Sequence, residues 1–332
     1  MVMIRKFNDS ISEKFGIEPT KRSIEQLLDK GCIILDKDCG PTSHKAVENI
    51  KRILQIDKAG HSGTLDPQVS GVLIIGLGRA TRLMEYMLKS HKSYICLMYI
   101  HKPKTTQELN GAFSKFRGVI KQTPPLISAV KRQERERTIY ELNIIETAQD
   151  NQYVLFDVKC QHGTYIRKLC TDIGFELGTN AQMIELRRTK AGPKDETQSL
   201  ISADYLHSLW DMYLKCEKDE SSKSNLKIIE KEIREYILPM EELLQDLKKI
   251  TLRDSAIHTI CHGSDLGVPG VLEVDDEIKL GDELAMLSGR GELVAIGTAM
   301  MSGRDIAKKD KGAAIKTEKV FMDKEVYPKS WF

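Results

Sequence analysis

The chain has 332 residues, 41% hydrophobic and 30% charged, which is enough for one large domain or two smaller ones with an ample core. Its 50 Lys and Arg against 48 Asp and Glu leave a net charge of +2, too small to argue for nucleic acid, so any polyanion surface must come from local clustering. Seven cysteines, odd in number and without a C-x-x-C pair, argue against a disulfide framework or structural zinc. They fit reduced thiols in the cytoplasm, and no signal peptide or apolar run of spanning length is read.

Residues 1–30 read as a polar, extended arm with one helix around Ile24 to Leu28. Gly31 to Leu35 forms a short buried strand that runs into Asp36 to Pro41. Thr42 or Ser43 then caps a helix with Val47, Ile50, Ile53 and Leu54 on one face and Lys45, Lys51 and Arg52 opposite. The next stretch, Ala59 to Leu73, is dense in glycine (Gly60, Gly63, Gly71) and displays one carboxylate, Asp66. Pro67 directly after Asp66 drives the aspartate toward an extended or turn conformation. From the loop alone, an ordinary Asx-type turn and a functional site both remain open. There is no aspartic-protease Asp-Thr-Gly, no Gly-x-Ser-x-Gly elbow and no phosphate loop.

Val72 to Ile75 reads as a buried strand and Ala80 to Leu88 as a helix, and Lys92-Ser93-Tyr94 opens a strand to Ile100. Residues 105–118 look helical until Thr123-Pro124-Pro125. The loop from Ala129 to Arg137 mixes four basic with two acidic side chains, and its surplus of arginine, Arg132 and Arg135 among them, favours a flexible grip on phosphates. Tyr153 to Cys160 alternates as a half-buried strand. Gln161 to Thr164 forms a turn, with Thr164 a helix cap. In the helix that follows, Arg167 lies near the N-terminus and off the apolar stripe. A cation there opposes the helix dipole and calls for an anionic partner. Ile184 to Lys190 adds a basic strand-like segment, and 215–227 reads as a solvated linker. From Lys248 onward, short glycine-punctuated strands suggest a small barrel-like domain.

The stretch Gly60-His61-Ser62-Gly63-Thr64-Leu65-Asp66-Pro67, continuing through Val69 and Gly71-Val72-Leu73, resembles the catalytic motif of the TruB and dyskerin family of RNA pseudouridine synthases. Four further segments match in order: Asp36-Lys37 with Gly40-Pro41-Thr42-Ser43, Lys92-x-Tyr94, Gly163-Thr164-Tyr165-Ile166-Arg167, and Glu185-Leu186-Arg187-Arg188-Thr189. The end of the chain is similar to a PUA domain. Thr123-Pro124-Pro125 with Ser128 to Arg132 resembles the archaeal dyskerin branch. Lys194, where an aromatic is expected, and Asn180, where a glycine is common, depart from the pattern and bear on the RNA surface.

The resemblance implies an α+β fold: a mixed, mostly antiparallel central sheet with flanking helices, plus a small β-barrel-like PUA domain. It implies a catalytic domain over 1–247, with the 1–30 arm packing on the PUA side, and a PUA domain over 248–332. Asp66 is expected as nucleophile or base, Arg167 as its ion-pair partner and Tyr94 as the residue stacking on the base. Tyr165 and Leu186 are expected to wall the pocket, and His61, Lys37, Arg132 and Arg135 to contact RNA. No cofactor or metal is expected, because the reaction oxidises nothing and imports no group. The implied partners are tRNA or rRNA substrate, an H/ACA guide RNA and small H/ACA accessory proteins, with no membrane. A stand-alone TruB-like enzyme acting only on tRNA uridine 55 and a non-catalytic RNA-binding scaffold are the alternatives. A retaining glycosidase would need a second carboxylate roughly 5 Å from the first, and only one acid stands out in these motifs.

Overall fold

The structure, a computed structural model, describes residues 2–7, 11–123 and 133–329, and the backbone alone at Glu220. It divides into two compact units, Cys32–Tyr236 and Met1–Gly31 with Ile237–Phe332. The segment 237–247, expected with the catalytic domain, thus falls in the second unit, as does the N-terminal arm.

The first unit is built on one twisted sheet. Its strands run in the order Leu200–Ile201, Gly31–Lys37, Ser70–Leu77, Ala181–Ala191, Lys92–Ile100, Tyr153–Cys160, Arg135–Ala148 and Gly118–Gln122, with Ala59–His61 beside Ser70–Leu77 and Lys194–Asp195 beside Ala181–Ala191. Two pairings are parallel, Leu200–Ile201 with Gly31–Lys37 and Ser70–Leu77 with Ala181–Ala191. The other pairings within this unit are antiparallel. The alternation that marks Tyr153–Cys160 as a strand puts Val154, Phe156, Val158 and Cys160 on one buried face, beside Cys96, Met98 and Ile100. The helix Ile166–Glu176 lays Ile166, Leu169, Cys170 and Ile173 on that face. Leu65 and Val69 join the same core, so the glycine-rich loop is anchored by apolar side chains on both sides of Asp66.

Gly71 shows why this loop needs glycine. Its φ is +102°, and a Cβ there would lie 2.2 Å from the Arg188 carbonyl oxygen. The parallel pairing of Gly71 with Arg188 therefore permits no side chain.

Two expectations change in this unit. The presumed linker over 215–227 is mostly helical: Ala203–Lys218 and Lys223–Tyr236 are joined by a short turn. Each helix places one apolar stripe inward (Leu206, Leu209 and Trp210; Ile233), and the charge-mixed residues are simply their solvated faces. The helix read over 105–118 ends at Lys115, and Gly118–Gln122 is a strand that pairs with the start of Arg135–Ala148.

The second unit orders its strands as Met3–Arg5, Val271–Asp275, Lys248–Leu252, Glu283–Leu287, Leu293–Ala299, Ala313–Val320 and Leu266–Gly267, around a core that includes Ile250, Val274, Met286 and Ile315. The arm contributes Met3–Arg5 as an edge strand and the helix Ile24–Lys30, which opens with a Ser23–Gln26 capping box. Arg22 donates to both oxygens of Glu241 at 2.7 Å. Among the described residues, no helix is long and apolar enough to cross a membrane.

Candidate active site

The loop carrying Asp66 is clamped by its backbone, and this leaves the carboxylate free to project. Ser43, expected as a helix cap, instead accepts from the Leu65 amide at 2.8 Å and donates to the Leu65 carbonyl at 3.1 Å. Thr42 is the cap, accepting from the Lys45 amide. The Lys37 ammonium donates to the carbonyls of Asp38 and Val69 at 2.9 and 2.8 Å, and to those of Asp66 and Pro67 at 3.3 and 3.4 Å.

Lys37 is only 1% exposed. Its expected contact with the RNA backbone is therefore corrected: four carbonyls surround its charge, and it staples the Asp66 loop from beneath. Burial lowers its pKa, against the opposing pull of Cys39 and Asp38.

Above the loop, Arg167 Nη2 lies 2.6 Å from Asp66 Oδ2, and the two side chains are 50% and 55% exposed. The arginine is the second residue of its helix, where its charge opposes the dipole, and Asp66 supplies the anion that this position calls for. A pair this exposed contributes less than about 1 kcal/mol to stability, so its effect is to fix the direction of the carboxylate.

Tyr94 is half-buried and packs against the core that holds Leu65, Val69 and Leu186. Its hydroxyl is hydrogen-bonded to the Arg188 guanidinium. Burial raises its pKa, Arg188 pulls it down, and the negative charge of Asp66 adds to the upward shift. Tyr94 and the Asp66 loop thus pack on the same core, through Leu65 and Val69. Arg188 is 1% exposed and donates from Nε to the Val72 carbonyl at 2.7 Å and from Nη2 to the Gly63 carbonyl at 3.3 Å. One buried arginine therefore links the start of the loop, the strand after it and the tyrosine.

His61 accepts from the Gly63 amide at Nδ1, at 3.3 Å, which leaves the ring proton on Nε2. Burial lowers its pKa, with Arg188 and then His44 adding to the effect, so the ring is neutral at physiological pH. Tyr165 caps the Arg167 helix with its backbone. Its amide donates to Gln122 Oε1 at 3.0 Å, and its carbonyl accepts from Gln122 Nε2 at 3.1 Å. Leu186 is buried opposite Cys96 in the sheet. Arg135 is exposed at the first position of its strand, whereas Arg132 lies outside the described residues.

The structure thus brings Asp66, Arg167, Tyr94, Leu186 and His61 toward one region. It does not offer Arg187 and Arg188 to a polyanion. Arg187 is shared between Asp36, at 2.9 and 3.1 Å, and Glu196, at 2.8 Å, and Arg188 is buried. The basic look of 184–190 was the misleading signal. Arg188 was visible only as part of a motif, and nothing in the sequence pointed to Gln122.

Comparison with known proteins gives the family. Residues 51–166 match the model of the TruB family pseudouridylate synthase N-terminal domain, and 167–245 that of the tRNA pseudouridylate synthase B C-terminal domain. Residues 248–321 match the PUA domain and 2–47 the DKCLD domain. The chain is 44% identical to a protein of Methanocaldococcus jannaschii named probable tRNA pseudouridine synthase B, over 96% of this chain and 90% of that one. A Pyrococcus abyssi protein of the same name is also 44% identical, over 99% and 95%. Among solved structures, it superimposes on a chain of a Cbf5–Nop10–Gar1 complex with a TM-score of 0.88 and 42% identity, covering 98% of this chain and 96% of that one. A chain of an H/ACA ribonucleoprotein bound to a substrate RNA gives 0.87 and 38%, over 99% and 97%. The chain belongs to the TruB and dyskerin family of RNA pseudouridine synthases, in its archaeal dyskerin form with an attached PUA domain.

Proposed function

We propose that Asp66 is the single essential carboxylate of this isomerase, acting on a uridine that is flipped out of its RNA stack. The observation that carries the proposal is the 2.6 Å contact from Arg167 to Asp66, which gives one exposed carboxylate a fixed direction. Pseudouridine formation breaks the C1′–N1 bond, turns the base, joins C1′ to C5 and releases the C5 proton. Asp66 adds to C1′ or removes a ribose proton to start that sequence. Tyr94 stacks on the uracil and excludes water, Leu186 and Tyr165 close the sides, and neutral His61 fills space beside the loop. Arg135 contacts the RNA backbone.

In this proposal the chain is the catalytic subunit of an H/ACA-type ribonucleoprotein, in which a guide RNA selects rRNA uridines and small accessory proteins complete the particle. It also acts on uridine 55 of the tRNA T-loop. Two comparisons support this: the structural neighbour is part of a complex with Nop10 and Gar1, and the relatives are named as tRNA enzymes. We assign the protein to the cytoplasm. The test is reconstitution of the purified chain with tRNA and rRNA, with and without guide RNA and accessory proteins. Modification of rRNA only with guide present, and of tRNA without it, is expected. Activity on unguided rRNA contradicts the proposal.

A further inference from the structure

The helix that presents Arg167 is capped by a side chain from another strand. Thr164, expected as its cap, turns its hydroxyl to the Gln161 carbonyl at 2.7 Å. The N-cap is instead Tyr165, extended at φ −98° and ψ 103°, and its side chain makes no capping bond among the described residues. The third helical residue, where a capping box carries Glu or Gln, is Lys168. An ammonium offers no acceptor, and that of Lys168 pairs with Asp172 one turn on.

Gln122 supplies what is missing. It closes the strand Gly118–Gln122, where it is paired with Arg135. Alternation along that strand puts Gln122 on the same face as Ile120, toward the core that also holds Ile166. A carboxamide at such a position, 2% exposed, has at least one donor and one acceptor to satisfy. Tyr165 satisfies both together, its amide donating to Oε1 at 3.0 Å and its carbonyl accepting from Nε2 at 3.1 Å. The same carbonyl accepts the first bond of the helix, from the Leu169 amide at 3.0 Å. Gln122 therefore pairs with Tyr165 as a neighbouring strand would, and ties the first turn of the helix to the sheet.

Arg167 stands two residues after Tyr165, with Nη2 at 2.6 Å from Asp66 Oδ2. Both side chains of that pair are half exposed, so packing around the guanidinium does little to aim it. Its direction depends on where the helix begins, and Gln122 fixes that point.

We propose that Gln122 is a positioning residue for the isomerisation and acts through Arg167. Its carboxamide sets the start of the Ile166–Glu176 helix, and so the direction in which Arg167 holds Asp66. The inference rests on the reading of Asp66 and Arg167 given above, and adds the residue that keeps their contact in place.

The test follows tritium release from tRNA labelled at uridine C5 by the full chain, with RNA affinity and thermal melts measured beside it. Gln122→Met keeps most of the volume and removes both hydrogen bonds. It is expected to lower kcat by about ten- to hundredfold, the scale of a misplacement on the order of 1 Å, with KM within about twofold of the parent. In an Arg167→Met background, which has no guanidinium to aim, the same change should cost less than about twofold in kcat. Gln122→Glu keeps the proposal testable if Gln122→Met folds poorly. As a neutral acid the new side chain donates to the Tyr165 carbonyl and accepts from the amide, whereas its carboxylate can only accept. Its kcat relative to the parent should therefore fall as the pH rises from about 5.5 to about 8 and the acid ionises. Parental kcat in Gln122→Met, a loss in the Arg167→Met background as large as in the parent, or a Gln122→Glu protein that tracks the parent across this pH range overturns the proposal. Product formation by Asp66→Asn would instead overturn the catalytic reading on which it rests.

Discussion

The Arg188 guanidinium holds the Tyr94 hydroxyl from a position closed to solvent, and the same side chain bonds the Gly63 carbonyl at the head of the Asp66 loop. Tyr94 and the Asp66 loop therefore share one support. Tyr94→Phe keeps the ring and removes only the hydroxyl. It is expected to bind RNA with near-parental affinity, lose roughly 1–2 kcal/mol of stability through the orphaned Arg188 donor, and lower kcat more than it raises KM. Arg188→Met leaves the Val72 and Gly63 carbonyls unpaired, and a melt should record a loss of roughly 2–4 kcal/mol.

Lys37 separates a staple from an RNA contact. With four carbonyls around a buried ammonium, Lys37→Met should destabilise the fold by roughly 2–3 kcal/mol and depress kcat. The salt dependence of RNA binding should be unchanged, because no phosphate contact is lost. A slope reduced by about one unit would return Lys37 to the RNA surface.

Arg167→Lys keeps the charge beside Asp66 but replaces a planar fork with a flexible point donor. Stability and RNA affinity should be close to those of the parent, since the pair is exposed, while kcat falls by about tenfold or more. Equal kcat in the two proteins would mean that charge alone is sufficient.

The histidine of the loop gives a pH dependence with a definite sign. Burial depresses His61 below its ordinary value of 6.5, so below that pH the unfolded chain takes up a proton that the native chain resists. Stability should fall as the pH drops from about 7 to about 5.5 and flatten in His61→Gln, as read by thermal melting.

Much of the first unit was legible because its strands alternate cleanly, as in Tyr153–Cys160, and because Pro67 and the surrounding glycines mark the loop locally. The Arg167–Asp66 pair was legible through a conflict, a cation at a helix start that had to be resolved elsewhere. What stayed hidden depends on tertiary contact. Lys37 and Arg188 look like surface cations in one dimension and become buried only when Gly71 brings two strands together. Gln122 has no local signature at all, because its role is to bond a backbone more than forty residues away. The helix ends that meet within 215–227 were missed for the opposite reason, since none of the described residues there is buried and the charge pattern outweighed periodicity.

The most direct test of the account is Asp66→Asn assayed with RNA tritiated at uridine C5, which releases its label when C1′ joins C5. The account predicts RNA binding close to that of the parent and no release of tritium above background. Release at the parental rate would show that the carboxylate held by Arg167 does not carry the reaction.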